Sequence, residues 1–176
     1  LVTLDDFREA GAIAFGTPTR FGNVSAQLKN QIDQPTPPWL TGELAGKPAG
    51  VFTSTGSLHR GQETTILTAL VPPLHLGFIL VGVPYSTQEL FTTQGGGSPY
   101  GPGHVAGPDS QRPIDPQEAA ICRALGKRLA EVGAKLQQGP HLDAQKSRNT
   151  IGFFASTSSK FSVVSSRVAM SARSVG

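Results

Sequence analysis

The sequence contains a single cysteine, Cys122, among its 176 residues. One thiol can form no intramolecular disulfide and no cysteine-based zinc site, and a reducing, cytoplasmic setting is therefore the expectation. Every apolar run falls well short of the ~18 residues that cross a bilayer, so we predict no integral membrane contact. The histidines lack the i, i+4 spacing of metal ligands, and we predict no metal site; they are His59, His75, His104 and His141.

Charge is also scarce, because Asp, Glu, Lys and Arg make up only 15% of the chain. Residues 1–139 carry ten Lys/Arg and eleven Asp/Glu, whereas residues 140–176 carry five Lys/Arg and one acid. The first part therefore offers no basic face, and we predict no nucleic-acid binding. Residues 140–176 are Ser-rich and have no sustained hydrophobic period, so we predict a disordered basic tail that follows a domain at residues 1–139.

Short apolar runs alternate with helical patterns along the first 139 residues. The runs at residues 10–16, 49–53 and 78–83 predict buried parallel strands. Residues 23–33 and 62–76 predict helices, and Pro72-Pro73 should end or kink the second. The clearest helix spans residues 115–138, with Asp115 as N-cap and Glu118 completing a capping box. This alternation predicts an α/β fold with a parallel sheet.

Ligands of parallel sheets bind at the carboxyl ends of the strands, which directs attention to the loops at residues 17–22 and 54–61. Taken alone, the pattern favours a plain turn with Asn23 as helix N-cap for the first loop, and an ordinary polar loop for the second. Neither contains a Walker motif or a Gly-x-Gly-x-x-Gly fingerprint. Trp39, in a Pro-rich loop, is either an interface or stacking residue or packs on its own core. A lone histidine such as His75 is usually structural, and residues 95–101 look like a long flexible loop.

Taken together, these segments resemble WrbA-type NAD(P)H:quinone oxidoreductases over roughly residues 4–136. The resemblance rests on the order and spacing of several short motifs rather than on any one of them. They are Phe-Gly-Thr-Pro-Thr-Arg-Phe-Gly-Asn at 15–23, Trp-Leu-Thr-Gly at 39–42, Phe-Thr-Ser-Thr-Gly at 52–56, Gly-Gln-Glu-Thr-Thr at 61–65, His75, and Gly-Gly-Ser-Pro-Tyr-Gly at 96–101.

The resemblance implies a flavodoxin-like, doubly wound parallel sheet that binds FMN and reduces quinones by two electrons with NADH or NADPH. It implies a homotetramer when the subunit is complete. The expected cofactor-binding residues are Pro18, Thr19, Arg20, Phe21, Gly22, Ser54, Thr55, Gly56, Ser57, Leu58 and His75. It further implies that His75 is catalytic, beside the flavin ring, and that Trp39 and Tyr100 bind substrate, Trp39 in a neighbouring subunit's pocket.

Departures from the family pattern qualify these expectations. The first strands and the phosphate-binding loop of the family do not precede Leu1, which suggests an N-terminally incomplete subunit. Residues 57–60 replace a Gly-rich loop, and Leu76 stands where a second histidine is common. Two alternatives therefore stay open: a non-catalytic flavodoxin-like fragment, and a flavin-binding accessory protein without reductase activity.

Overall fold

Short strands and helices alternate through the part of the chain that the computed structural model describes, residues 2–138 and 151–155. The elements, in chain order, are α1 Leu4–Glu9, β1 Ala12–Pro18, α2 Ala26–Asp33, α3 Thr36–Leu40, β2 Pro48–Thr55, α4 Gln62–His75, β3 Ile79–Leu80, α5 Glu89–Thr92, β4 Gly103–Val105, α6 Pro116–Gln137 and β5 Ile151–Ala155. No helix in this described part is long and apolar enough to cross a bilayer.

All the strands run parallel in one sheet of order β3-β2-β1-β5, and β4 also pairs with β2. β3 pairs with the amino end of β2, where Pro48 lies opposite Ile79. β4 pairs with its carboxyl end, where Thr53 lies opposite Gly103. β3 and β4 therefore follow one another along the same edge of β2. The parallel α/β sheet predicted from the sequence is confirmed.

Side chains of β1 alternate between two cores, because successive residues of a strand point to opposite faces. Ile13 and Phe15 pack among residues of α1, α2 and α4. Ala12 and Ala14 pack against α6, together with Ile121 and other residues of that helix. The same alternation in β2 turns Phe52 toward the α6 face and Val51 toward the α4 face. The sheet is thus covered by helices on both faces.

Helix boundaries agree with the sequence at α6 and differ at α2 and α4. Asp115 caps α6 and forms the predicted box with Glu118. The cap of α2 is Ser25 rather than Asn23, since Asn23 instead pairs by its backbone with Arg20 in the preceding turn. The prolines at positions 72 and 73 lie inside α4, which ends two residues later. The N–H groups that these prolines lack would pair with the carbonyls of Thr68 and Ala69 one turn earlier, and the helix ends within a turn of this gap.

Three further segments are more regular than the sequence predicts. Trp39 lies in the short helix α3, which has prolines in its first turn, rather than in a loop. Residues 95–101 form a tight turn in which Ser98 and Gly101 exchange backbone hydrogen bonds. Within the predicted tail, residues 151–155 form β5, because their apolar, aromatic run can pair with the remaining edge of β1. The predicted tail otherwise lies outside the residues that the structure describes.

Candidate functional site

The two loops singled out from the sequence lie side by side at the carboxyl edge of the sheet. Pro18 is opposite Ser54 in the register of β1 and β2. The backbone N–H of Thr19 donates to the carbonyl of Ser54 at 2.9 Å, just beyond the last paired residues. Residues 18–22 and residues 54–58, predicted separately from their sequence patterns, therefore form the two walls of one site.

Buried hydroxyl groups hold these loops from the α4 side. The Thr53 hydroxyl donates to the carbonyl of Thr17 at 2.8 Å, and the Thr65 hydroxyl lies 3.2 Å from that of Thr19. The Thr17 hydroxyl accepts the backbone N–H of Ser25 at 2.9 Å. Buried hydroxyls that are fully paired fix the backbone around them. This network thus fixes both loops in position before any ligand binds.

The first loop turns sharply at Phe21 and Gly22. Arg20 and Asn23 exchange backbone hydrogen bonds of 2.9 and 3.0 Å on either side of this corner. Phe21 has φ +52° and Gly22 has φ +76°. A positive φ strains a bulky residue, yet the Phe21 ring is fully exposed to solvent. An aromatic ring held outward by a strained backbone is well placed to stack on a flat ligand.

The second loop presents backbone donors. The Thr55 hydroxyl donates to the carbonyl of Ser57 at 2.8 Å and accepts from the Gln62 side chain at 3.0 Å. The backbone N–H groups of Gly56, Ser57 and Leu58 donate to no group among the described residues. Consecutive free N–H groups next to a helix N-terminus favour an anion or a row of carbonyl oxygens.

The two loops also meet at their tips. A Cβ built on Gly61, which has φ +80°, would lie 3.2 Å from Cα of Gly22 and 2.9 Å from the Thr64 hydroxyl. A side chain at position 61 would therefore push the first loop away. This contact explains why a glycine precedes α4, although glycine leaves the helix without a side-chain cap.

On the α6 face, a cavity of about 250 Å³ lies beneath the same edge of the sheet. Its walls are mostly apolar, and Pro18 and Ser54 belong to them as well as to the two loops. The remaining lining residues are Gly16, Thr17, Phe52, Thr53, Pro102, Gly103, His104, Ile114, Glu118, Ala119 and Cys122. Partial desolvation raises the pKa of the Cys122 thiol, although the residue also reaches the protein surface.

A buried carboxylate, Glu118, organises the rim of this cavity. Its side chain is 1% exposed and accepts the backbone N–H groups of Val105, Gly96 and Asp115 at 2.9–3.0 Å. It also accepts from Arg112 at 2.9 Å and from Nδ1 of His104 at 2.9 Å. Burial alone would raise the pKa of Glu118, but these donors lower it to about 2.

Glu118 and His104 are the site residues that sequence reasoning missed. The capping box at Asp115 identified Glu118 only as a local cap, and nothing in the pattern near His104 indicated a partner. Their meeting requires β4 and α6 to pack together. Among the described residues, no three His, Cys, Asp or Glu side chains are grouped so that they could hold a metal ion.

The structure does not bring His75, Trp39 or Tyr100 to the two loops. α4 begins beside the second loop and runs away from it, so His75 lies roughly 20 Å further along the helix axis. There its ring packs against that of Trp39, with centroids 5.7 Å apart and planes 34° apart. Tyr100 lies in the turn that packs against Gly82, on the β3 side of β2. The roles predicted for these three residues stay predictions.

Comparisons with known proteins agree with this architecture. The pattern of the NADPH-dependent FMN reductase family matches residues 3–89. The chain is 48% identical over 136 residues to an NAD(P)H dehydrogenase (quinone) of Trichlorobacter lovleyi, covering 76% of this chain and 67% of the relative. It is 44% identical over 133 residues to one from Aromatoleum aromaticum, covering 74% and 64%. The chain thus spans about two thirds of the length of these relatives.

A solved structure, described as the flavodoxin, WrbA-like protein from Agrobacterium tumefaciens, shares the fold with a TM-score of 0.58 at 24% identity. The match covers 74% of this chain and 71% of the other. The flavodoxin-like fold implied by the motifs is therefore confirmed. On the identity and coverage of its curated relatives, the chain belongs to the NAD(P)H dehydrogenase (quinone) family.

Proposed function

We propose that this chain carries out FMN-dependent two-electron reduction of quinones, with NADH or NADPH as the electron donor. The observation that carries the proposal is the pair of loops at the carboxyl edge of the sheet, with an outward aromatic ring on one and free backbone donors on the other. The relatives' name, NAD(P)H dehydrogenase (quinone), supports the same reaction.

The residues present fit the flavin ring. Its pyrimidine edge carries carbonyl oxygens, and Gly56, Ser57 and Leu58 offer unpaired N–H groups in a row. Phe21 offers an exposed aromatic face on the opposite wall. FMN would therefore be held between residues 18–22 and residues 54–58. When bound, it supplies the group that accepts a hydride from NAD(P)H and passes it to the quinone.

The protein's part in this reaction is electrostatics and placement. The free N–H groups of the second loop would stabilise negative charge on the pyrimidine edge of a reduced flavin bound there. The buried threonine network keeps both walls fixed, so this stabilisation requires no rearrangement during turnover. The exposed ring of Phe21 would offer a flat surface beside the bound flavin, where nicotinamide and quinone would stack in turn.

His75 and Trp39 would take part from a second copy of the chain, since α4 carries His75 away from the loops of its own chain and Trp39, in α3, packs against it there. Leu40, Val71 and Leu74 expose apolar side chains beside them. We extend the proposal to a homotetramer in the cytoplasm, in which this Trp39–His75 pair covers a neighbour's flavin. Tyr100, the other proposed substrate contact, would likewise act at a neighbour's pocket.

The test is spectroscopic. We expect the purified chain to take up FMN, to be bleached by anaerobic NADPH, and to recover its absorbance on adding benzoquinone. Initial rates should give parallel double-reciprocal lines, as a ping-pong scheme requires. Uptake of FMN without bleaching would favour the flavin-binding accessory protein, and no uptake would favour the non-catalytic fragment. Unchanged quinone turnover in His75→Ala would remove His75 from the catalytic residues.

A further inference from the structure

The cavity on the α6 face is a candidate binding site separate from the surface where the two loops face solvent. Phe52, Ile114, Ala119 and Cys122 give it mostly apolar walls. The Phe52 ring lies so close to Gly16 that a Cβ there would be 2.2 Å from Cζ of the ring, so this wall is tightly packed. An apolar cavity with few polar groups is the usual form of a small-molecule site.

The direction of the His104 hydrogen bond can be assigned from chemistry. The pKa of Glu118 is about 2, so its carboxyl group is ionised at neutral pH. An ionised carboxylate can only accept hydrogen bonds. Nδ1 of His104, 2.9 Å from Oε2 of Glu118, must therefore carry the hydrogen. In the neutral ring the lone pair then lies on Nε2, which can accept a hydrogen bond from a ligand.

Nε2 of His104 is available to such a ligand. It has no hydrogen-bond partner among the described residues. His104 is one of the residues that line the cavity, so a ligand bound there lies beside its ring. The cavity thus combines apolar walls with one acceptor whose orientation Glu118 fixes.

We propose that this cavity binds a hydroxylated aromatic ring, with its hydroxyl donating to Nε2 of His104. A volume of about 250 Å³ falls just below the ~300–1,000 Å³ of sites for drug-sized ligands, which suits one or two fused rings. The physiological ligand would be a hydroquinone, the product of quinone reduction, and only this choice rests on the proposed function. Pro18 and Ser54 border both sites, so a hydroquinone here would lie next to the flavin loops.

The test uses the full chain without FMN or NAD(P)H, and 2-naphthol as the probe. Cys122 is the only cysteine and lies at the surface as well as in the cavity wall, so alkylation by N-ethylmaleimide, followed by mass spectrometry, reports on a ligand that covers this wall. We expect 2-naphthol to slow the alkylation and to bind about fivefold more tightly than 2-methoxynaphthalene, which has the same rings but no hydroxyl to donate.

Variants separate the hydrogen bond from the apolar walls. His104→Asn keeps a donor at the position of Nδ1 for Glu118 but removes Nε2, so 2-naphthol should bind only as well as 2-methoxynaphthalene. Ala119→Leu fills the cavity and should abolish binding of both. Ala130→Leu adds the same carbons on an exposed position of α6 and should change neither affinity. Thermal melts of each variant confirm that the fold is kept.

Three results would overturn the inference: wild-type affinity in His104→Asn, equal losses in Ala119→Leu and Ala130→Leu, or displacement of 2-naphthol by FMN. Displacement would assign the cavity to the cofactor. The two proposals fail separately. A chain that reduces benzoquinone but does not bind 2-naphthol contradicts only this inference, whereas one that binds 2-naphthol but takes up no FMN contradicts only the proposed function.

Discussion

Replacing Glu118 by Gln tests whether the buried carboxylate holds the cavity rim together. A pKa lowered from 4.5 to about 2 corresponds to about 3 kcal/mol of folding free energy that depends on the ionised form. Gln carries no charge, and its NH₂ group cannot accept the hydrogen bonds that one carboxylate oxygen of Glu118 accepts. We therefore expect Glu118→Gln to lower the free energy of unfolding by about 3 kcal/mol at pH 7.

The pH dependence follows from the direction of the shift. Because the folded-state pKa lies below the unfolded one, the stabilisation is fully present above pH 4.5 and is lost as pH falls toward 2. The difference between wild type and Glu118→Gln should thus shrink to roughly 1 kcal/mol by pH 3. Urea unfolding followed by circular dichroism at pH 7, 5, 4 and 3 measures it.

Glu131→Gln is the matched control on the same helix. Glu131 is half exposed, and its ion pair with Lys127 spans 3.8 Å. An exposed pair of this kind contributes less than about 1 kcal/mol, with little dependence on pH over this range. The reasoning is refuted if Glu118→Gln costs no more than Glu131→Gln, or if its cost is the same at pH 3 as at pH 7.

Four other substitutions, one of them a control, test the first loop, the turn at residues 95–101 and the cap of α6. Phe21→Gly relieves the strain of a positive φ, so it should raise the free energy of unfolding in urea by about 1 kcal/mol. The same substitution should weaken FMN binding in a fluorescence titration, and unchanged FMN affinity would contradict the stacking role. Gly101→Ala places a Cβ 2.1 Å from the carbonyl of Val51 and should lower the free energy of unfolding by about 3 kcal/mol. Gly126→Ala is the control: its Cβ would meet no atom within 4 Å, and it should raise the free energy of unfolding by up to about 1 kcal/mol in the same assay. Asp115→Ala removes the cap of α6 and should lower the thermal midpoint by the equivalent of about 1 kcal/mol; an unchanged midpoint would exclude the cap as a source of stability.

Local sequence patterns predicted the elements that are local in origin. The capping box at Asp115 and the apolar runs of β1 and β2 are specified by residues a few positions apart, and the structure confirms them. The neighbouring position of the two loops was also predictable, because parallel strands end at a common edge. These features needed no knowledge of how distant segments pack.

Contacts between segments far apart in the chain could not be predicted from the sequence. The Glu118–His104 pair depends on β4 pairing with β2 and on α6 packing over that edge, and neither is visible in a local pattern. The tight turn at residues 95–101 also depends on packing against a distant segment, the sheet strand β2 that it meets at Gly101. A Cβ at Gly96 would lie 2.2 Å from the backbone of Gly103, so these glycines allow close packing of backbone rather than flexibility. The glycine-rich composition alone suggested a flexible loop.

The direction of α4 decides what His75 can do. In a parallel sheet, a helix that follows a strand begins at the carboxyl edge and ends at the amino edge, so residues at its two ends serve different sites. Gln62, at the start of α4, contacts Thr55 of the second loop, whereas His75, at its end, contacts Trp39. Within one chain, the His75 ring therefore lies away from the two loops, and its catalytic role stays a prediction. The same topology places His104 opposite Ser54 in the sheet, beside the carboxyl edge.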